Sequence, residues 1–407
     1  MLRAIISDKK RANVICIPKG YYFCSTAAGF KYRGRDDLGF IGSEHPAAAA
    51  GVFTGNRFQA APVRMARALL SESQRAAGIV INAGQANACT GEEGLADCRR
   101  SLELLAETFN LGKEAVLPAS TGVIGERMDM CRWEKALEGL FQSRSQSGPL
   151  DAAKAMMTTD TFPKLVWRSF WPGEGQEVRL MGLAKGSGMI CPNMATMLGF
   201  VLCDGFVAPD FLQEVLKAAV DRSFNRITVD GDTSTNDCVL ALANGGSGVR
   251  IEPKRREELQ REFTELCREL AALIIQDAEG GTKSVRIQVQ GAKNLAQAED
   301  AARTVAHSPL VKTALYGRDP NWGRIVAALG RSQAEFDPDR VSISIGERPV
   351  FVRGGPIDED LDSLLAPSMA RDTIRISLEL GAGGADYDIL TSDLSVDYVK
   401  INADYRS

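Results

Sequence analysis

The stretch GLAKGSGMICPNMATMLGF, residues 182–200, is the first candidate for chemistry because it combines glycines, a lysine and a threonine in one run. Glycine-rich turns can present backbone N–H groups to a phosphate. The Walker pattern, however, requires a lysine that follows its glycines and directly precedes Ser or Thr. Here Lys185 precedes Gly186. The spacing therefore disfavours nucleotide binding.

Thr196 lies in the middle of this run, and its hydroxyl is a weak nucleophile that needs a base. If the chain were cut between Ala195 and Thr196, the new α-amine would have a pKa of about 7.7–8 and would sit on the same residue as the hydroxyl. Nucleophile and base would then belong to one residue. Residue types alone leave open the plainer interpretation that Thr196 only begins an apolar strand.

The chain has only two histidines, His45 and His307. His45 precedes a proline and an alanine run, and His307 follows a predicted helix. Neither belongs to a cluster of catalytic or ligand residues, so we expect both to be incidental. A Ser-His-Asp triad and a histidine-rich metal site are both disfavoured.

The composition is that of an ordinary globular enzyme of 407 residues, with 44% hydrophobic and 25% charged residues and a net charge of -4. This charge gives no reason to expect a nucleic-acid or anionic-membrane partner. No apolar run approaches the roughly 18 residues of a membrane span. The nine scattered cysteines lack CxxC spacing and predict reduced thiols. We expect a cytoplasmic protein.

Segments with the 3.6-residue hydrophobic period of a helix alternate along the chain with segments typical of strands. This alternation predicts a mixed α/β architecture. The run at 78–84 predicts a buried strand before a helix at 98–110, and two further helices are predicted at 209–224 and 257–276. Beyond residue 283 the period changes to two, and the pieces up to 402 are predicted to be strand-like, so the C-terminal half is sheet-rich. The segment SRSQSGPLDAA, residues 143–153, is the best candidate for a flexible junction.

Motifs along the whole chain resemble the ornithine acetyltransferases, arginine-pathway enzymes that move an acetyl group from N-acetylornithine to glutamate. The run KGSGMICPNMATML resembles their cleavage and nucleophile motif. Further matching segments occur in the same order: GVFTGNRFQAAPV (51–63), NAGQANACTG (82–91), PASTGVIGE (118–126), MTTDTFPK (157–164), VDGDTSTND (229–237), DAEGGTK (277–283), GRDPNWGR (317–324) and YVKINADYRS at the end. Two departures, Cys191 and the NAGQANACTG variation, concern substrate preference and leave the reaction class unchanged.

The resemblance implies the family's mixed αββα-like sandwich, built from two self-cleaved chains. Cleavage between Ala195 and Thr196 would give an α chain, residues 1–195, and a β chain, residues 196–407. Thr196 would then be acetylated and deacetylated in a ping-pong cycle. The resemblance places the oxyanion hole at Thr121 and Gly122, which suits a hydroxyl donor beside a backbone N–H that no Cβ shields.

The resemblance also implies the residues that line the substrate site. Lys185 suits the α-carboxylate of the substrate as a point charge. Glu279 suits the substrate's side-chain amine, and its predicted place at a helix C-terminus would further favour a cation. The full set is Thr158, Lys185, Thr196, Glu279, Asn402 and Ser407.

The family implies a heterotetramer of two α and two β chains and no cofactor. An acidic metal loop at Asp230, Asp232 and Asp237 fits by spacing alone, but the chemistry requires no metal and we expect none. The alternative activity is an amidohydrolase or aminopeptidase with the same self-cleaved nucleophile, because only water would replace glutamate. The sequence leaves open whether acetyl-CoA also serves as acetyl donor, which would add amino-acid N-acetyltransferase to glutamate N-acetyltransferase activity.

Overall fold

The computed structural model describes residues 15–112, 116–173, 175–191 and 197–404. These residues form two compact units. Unit 1 contains the described residues up to 225 together with 232–274, and unit 2 contains 226–231 and 275–404. Ala195, Thr196 and Ser407 lie outside the described residues.

Helices and strands alternate through the described chain, as the mixed periods predict. The strands are β1 (Tyr21–Thr26), β2 (Leu38–Phe53), β3 (Arg75–Gln85), β4 (Val116–Val123), β5 (Lys164–Gly173), β6 (Gln176–Lys185), β7 (Leu198–Cys203), β8 (Ile227–Thr228), β9 (Cys238–Ala243), β10 (Ser284–Ala292), β11 (Ser342–Ile345), β12 (Arg348–Val352), β13 (Gly355–Pro356), β14 (Thr373–Glu379) and β15 (Ala385–Ser392). The helices are α1 (Ala61–Glu72), α2 (Gly91–Phe109), α3 (Met130–Gln142), α4 (Pro149–Ala155), α5 (Pro209–Asp221), α6 (Arg256–Gln276), α7 (Leu295–Ala306), α8 (Pro309–Tyr316), α9 (Trp322–Leu329), α10 (Leu361–Met369) and α11 (Val396–Asp404). The mixed α/β prediction is confirmed.

Unit 1 is built on a mixed sheet in the order β4-β3-β2-β9-β7-β6-β5, with β1 paired to β2. Both of its faces are buried. In β3, Ile79 and Ile81 pack into one core with α4, whereas Val80 packs into the other with α2 and α3. The sequence of a strand that is buried on both faces is a continuous apolar run, which explains the residues GIVI in β3.

Unit 2 carries a second sheet in the order β13-β12-β11-β14-β10-β15-β8. The period of two in β10 turns Val285, Ile287 and Val289 toward the core with α7 to α10, while Arg286 is exposed. Its helices begin at side-chain caps: Asn294, Ser308, Asn321 and Asp360 each accept a hydrogen bond from a backbone N–H three residues on.

Two predicted features are wrong. The segment 143–153 is not a junction: it lies within unit 1, where Pro149 begins α4 and Ala152 and Ala153 are buried against the sheet. The end of the chain is also not strand-like, because Val396–Asp404 form helix α11. In the described residues, no helix is long and apolar enough to cross a bilayer.

Candidate active site

Thr121 and Gly122 lie in β4, beside the paired strand β3. The parallel register pairs Gly122 with Gly84. Gly122 has a φ of +132°, and a Cβ there would lie 2.2 Å from the carbonyl carbon of Gly84. No other residue fits without moving the backbone. The predicted oxyanion donors therefore sit on a rigid strand and not in a free turn.

Lys185 ends β6 and is only 3% exposed. Its Nζ donates a hydrogen bond to the Thr121 hydroxyl oxygen at 3.3 Å. Because the oxygen of this hydroxyl accepts from the lysine, its hydrogen is left to donate elsewhere. The structure thus brings together two residues that the sequence analysis assigned to different tasks, and it gives the Thr121 donor a cationic neighbour.

Asp160, which was not predicted as a site residue, organises the loop that carries Thr158. Its Oδ1 accepts from Lys164 Nζ and from the Gly186 N–H, both at 2.7 Å. Its Oδ2 accepts from the Thr158 N–H at 3.1 Å. One carboxylate therefore fixes Thr158 and the residue after Lys185 in the same place.

The charge of Asp160 is compensated on two sides. Burial raises the pKa of this carboxyl, but the charges of Lys164 and Lys185 and the hydrogen bonds that it accepts outweigh burial and hold the pKa well below its usual range. The side chains of Asp160 and Lys164 are both completely buried. Asp160 is thus an ionised anchor for two buried lysines.

The described residues on either side of the predicted cleavage bond are tied to the segment VDGDTSTND. Cys191 O accepts from Thr233 Oγ1 at 3.1 Å. Met197 N donates to Asp237 Oδ1 at 2.7 Å. The described residues that flank this part of the chain, Cys191 and Met197, are thus hydrogen-bonded to the same loop of unit 1.

Asp237 is a buried acid in this loop, 1% exposed. Burial raises its pKa well above the usual value, against the lowering effects of the Met197 N–H, the Lys185 charge and Ser234. Among the residues that the structure describes, no three His, Cys, Asp or Glu side chains form a metal-ligand group. The side chain of Asp237 thus fixes the backbone of Met197 by accepting its N–H.

In unit 2 the structure brings together Glu279 and Asn402. Glu279 follows α6, and Asn402 Nδ2 on α11 donates to Glu279 Oε2 at 2.9 Å. Gly280 makes this approach possible: its φ is +64°, and a Cβ there would lie 2.3 Å from the backbone nitrogen of Tyr398. The DAEGG motif therefore contacts helix α11 directly.

The two histidines occupy unrelated places. His45 is exposed within β2. His307 is half-buried, and its Nε2 lies 3.1 Å from Thr228 Oγ1 in unit 2. Burial, together with the charges of neighbouring arginine and lysine side chains, lowers its pKa to about 4. That both histidines are incidental stays a prediction.

The nine cysteines are all free, and five of them are buried. Burial raises the pKa of the Cys238 thiol, next to Asp237, above its ordinary range, so this thiol stays protonated. Cys191 is partly exposed and precedes the predicted cleavage segment. The prediction of mostly buried thiols agrees with this arrangement, and their reduced state stays a prediction.

Comparison with known proteins gives the family directly. The model of the ArgJ family matches residues 22–407. The chain belongs to the ArgJ family. The prediction of an ornithine acetyltransferase relative is confirmed, and with it an acyltransferase of arginine biosynthesis.

Individual ArgJ relatives match over nearly their whole length. An "Arginine biosynthesis bifunctional protein ArgJ" from Nitratidesulfovibrio vulgaris is 52% identical over 390 residues, covering 96% of this chain and 99% of the relative. A protein of the same name from Thermosynechococcus vestitus is 44% identical, covering 96% of this chain and 97% of the relative. The crystal structure of the Bacillus halodurans ArgJ protein is 36% identical and covers 51% of this chain and 98% of its own, with a TM-score of 0.49.

Proposed function

We propose that this ArgJ-family protein transfers the acetyl group of N2-acetyl-L-ornithine to L-glutamate through an acetyl-Thr196 intermediate. The observation that carries the proposal is the contact of Lys185 Nζ with Thr121 Oγ1 beside Gly122. It places a fixed cation next to a hydroxyl donor and a glycine N–H, which is what a developing oxyanion requires.

The active form arises by cleavage between Ala195 and Thr196. The Thr196 hydroxyl attacks the carbonyl carbon of Ala195, the C–N bond breaks, and the nitrogen leaves as the α-amine of Thr196 with the hydroxyl proton. Water then hydrolyses the resulting ester and frees the hydroxyl. The hydrogen bond from Met197 N to Asp237 supports this step, because it fixes the residue that directly follows the nucleophile.

Each half-reaction then uses the new α-amine as base. The amine accepts the Thr196 proton as the hydroxyl attacks the acetyl carbonyl, and ornithine leaves with that proton while acetyl-Thr196 forms. The α-amine of glutamate next attacks the ester and releases N-acetylglutamate and free Thr196. Both tetrahedral intermediates carry an oxyanion, for which Thr121 and Gly122 are the donors.

Substrate recognition divides between anionic and cationic groups. Lys185 pairs with the α-carboxylate, and Thr158 lies on the loop that Asp160 fixes beside it. Glu279, held by Asn402, pairs with the side-chain amine of ornithine. Ser407, outside the described residues, completes the substrate residues that the family resemblance implies.

The relatives' name "bifunctional" favours a second acetyl donor. We therefore include acetyl-CoA, which would acylate Thr196 in place of N-acetylornithine and give amino-acid N-acetyltransferase activity. The same family membership supports a cytoplasmic heterotetramer of two α and two β chains that works without a cofactor.

The test is glutamate acetylation with N-acetylornithine and, separately, acetyl-CoA as donor. We expect saturable N-acetylglutamate formation with both donors and negligible release of free acetate. Acetate release that does not depend on glutamate would instead identify the amidohydrolase. Glutamate acetylation from N-acetylornithine alone would exclude the acetyl-CoA reaction, while the proposed transfer from N-acetylornithine would stand.

A further inference from the structure

The loop at 233–237, which leads into β9, contacts both halves of the proposed catalytic machinery. We propose that Asn236 and Asp237 are positioning residues: Asp237 holds the chain that begins at Thr196, and Asn236 holds the strand that carries Thr121. Two adjacent residues would thereby fix the nucleophile relative to the oxyanion hole. This inference rests on the proposed function.

Asp237 provides the anchor on the nucleophile side. Its Oδ1 accepts from the Met197 N–H at 2.7 Å, and the next residue, Cys238, donates its N–H to Met197 O at 3.3 Å. Both backbone polar groups of Met197 are therefore held at the start of β9. Cleavage would make Met197 the second residue of a new chain, and chain ends fray unless they are tied down. The bond to Asp237 is the tie closest to the nucleophile among the described contacts.

Asn236 provides the anchor on the oxyanion side. Its Nδ2 donates to Ala86 O at 2.7 Å and to Ser120 O at 2.9 Å, so one amide group joins the residue that follows β3 to an interior residue of β4. Thr235 Oγ1 donates to Asn236 Oδ1 at 2.7 Å, which fixes which end of the amide faces the carbonyls. Ser120 directly precedes Thr121. The side chain thus restrains the peptide from which the oxyanion donor extends.

The loop itself is held in place by the segment 51–63. Thr54 donates its N–H to Asp237 O at 2.9 Å and its hydroxyl to Ser234 O at 2.8 Å. Ala60 donates its N–H to Thr235 O at 2.9 Å. Asn236 and Asp237 are therefore fixed at their backbones as well as at their side chains. A rigid pair of this kind matters because a displacement of about 1 Å in a catalytic group can cost on the order of 10²-fold in rate.

Asp237 offers a conservative variant that separates positioning from charge. Its Oδ2 is buried and has no hydrogen-bond partner among the described residues. In Asp237→Asn, an amide oxygen can still accept from the Met197 N–H while the carboxyl group is lost. In Asp237→Ala, the acceptor itself is lost. Positioning predicts that the asparagine variant is rescued and the alanine variant is not.

Asn244, at the other end of β9, is the matched control. It is also a buried asparagine, and its Nδ2 donates to Lys19 O at 3.1 Å and to Ser43 Oγ at 3.2 Å. Asn244→Ala should lose stability much as Asn236→Ala does. It should leave cleavage and turnover unchanged, because it contacts none of the proposed catalytic groups.

The experiment measures the cleavage rate by intact mass and, per cleaved molecule, kcat and KM for N-acetylornithine in the full-length protein. We expect Asp237→Ala and Asn236→Ala to lower cleavage or kcat on the order of 10²-fold while KM changes by less than about 3-fold. Asp237→Asn should stay within about 5-fold of wild type. A folded Asp237→Ala protein that never cleaves, beside a cleaving Asp237→Asn protein, gives the same support.

Three results would overturn the inference. Asp237→Ala and Asn236→Ala could both keep wild-type rates, Asp237→Asn could fail as completely as Asp237→Ala, or Asn244→Ala could lose as much turnover as Asn236→Ala. If wild-type protein stays uncut or never acetylates Thr196, the proposed function fails instead. The two failures are therefore distinguishable.

Discussion

At the scale of single residues, the position of the Thr121 hydroxyl is set by Lys185 and by Gly122. Its hydroxyl oxygen accepts from a buried lysine, and its neighbour Gly122 occupies a position where any Cβ would strike β3. A hydroxyl held in this way needs little reorganisation when charge develops on a substrate oxygen, and preorganisation is the main source of oxyanion stabilisation.

Removing the Thr121 hydroxyl should therefore slow the chemistry more than it weakens binding. We expect Thr121→Ala to lower kcat about 10²-fold to 10³-fold, with a smaller change in KM, in steady-state acetyl transfer. Thr121→Ser keeps the hydroxyl and is the control. Equal rates for the alanine variant and wild type would show that the Thr121 hydroxyl is not an oxyanion donor.

Asp160 gives a prediction about stability. Asp160→Asn would leave Lys164 and Lys185 buried without their shared counter-charge, and breaking a buried ion pair from one side costs about 3–5 kcal/mol. The free energy of unfolding from urea denaturation at pH 7 should fall by about that much. Asp151→Asn, at a partly exposed pair with Lys154, should cost about 1 kcal/mol or less.

The contribution of Asp160 to the free energy of unfolding should depend on pH in a definite direction. The folded-state pKa of Asp160 lies below its unfolded value, so its stabilising contribution is complete above the unfolded pKa of about 3.9 and is lost as the pH falls through the folded pKa. The difference between wild type and Asp160→Asn should be constant from pH 6 to 8 and shrink in acid. A difference that grew on acidification would contradict the ionised anchor.

At the scale of elements, the sequence predicted helices and strands wherever one side of an element is apolar. The leucine stripe of α6 and the alternation in β10 both gave the correct type of element, because each faces a single core. The failures had weaker signals. Segment 143–153 resembles a linker in composition, yet its small Ala152 and Ala153 pack against the sheet, and alanines form no visible stripe.

The site could be predicted only in part, for a similar reason. Thr121, Lys185, Glu279 and Asn402 came from the family resemblance, and the structure shows the contacts that pair them within each unit. Asp160 was not predicted as a site residue, because burial and contacts between residues distant in sequence leave no trace in local periodicity. Asn236 and Asp237 lie in the family-matching segment VDGDTSTND, but their hydrogen-bond partners could not be predicted for the same reason. Asp160 and Lys164, four residues apart in MTTDTFPK, were the one local hint.

Gly182 shows how an element is shaped by its neighbour. In the sequence it begins a glycine-rich run, but it lies inside β6, and a Cβ there would come within 2.6 Å of Leu270 Cδ1 on α6. Its role is close packing of helix on sheet. The glycine of this run with a positive φ is Gly186, with a φ of +150°.

A double-mutant cycle tests this contact between β6 and α6. Gly182→Ala should lower the free energy of unfolding by about 1–3 kcal/mol through overpacking. In a Leu270→Ala background the added methyl group finds space, so the same change should cost clearly less, with a coupling of about 0.5–3 kcal/mol. Strict additivity would show that α6 does not restrict Gly182.

At the scale of the whole molecule, the two compact units do not follow the proposed division into chains. Unit 1 includes residues on both sides of residue 196, and its sheet joins β6 to β7 across that point in antiparallel register, Lys185 opposite Leu198. Cleavage would therefore fall between two strands that are paired in one sheet. We expect both fragments to remain in one folded unit after the cut.

The most direct test of the central claim is the intact mass of the purified protein before and after addition of N-acetylornithine. Wild type should give two fragments in place of one 43.9 kDa chain, and the fragment beginning at Thr196 should gain one acetyl group and lose it again when glutamate is added. Thr196→Ala should stay as a single unacetylated chain. A Thr196→Ala protein that still cleaves or takes up acetyl, or an uncut wild type that transfers acetyl normally, would contradict the account.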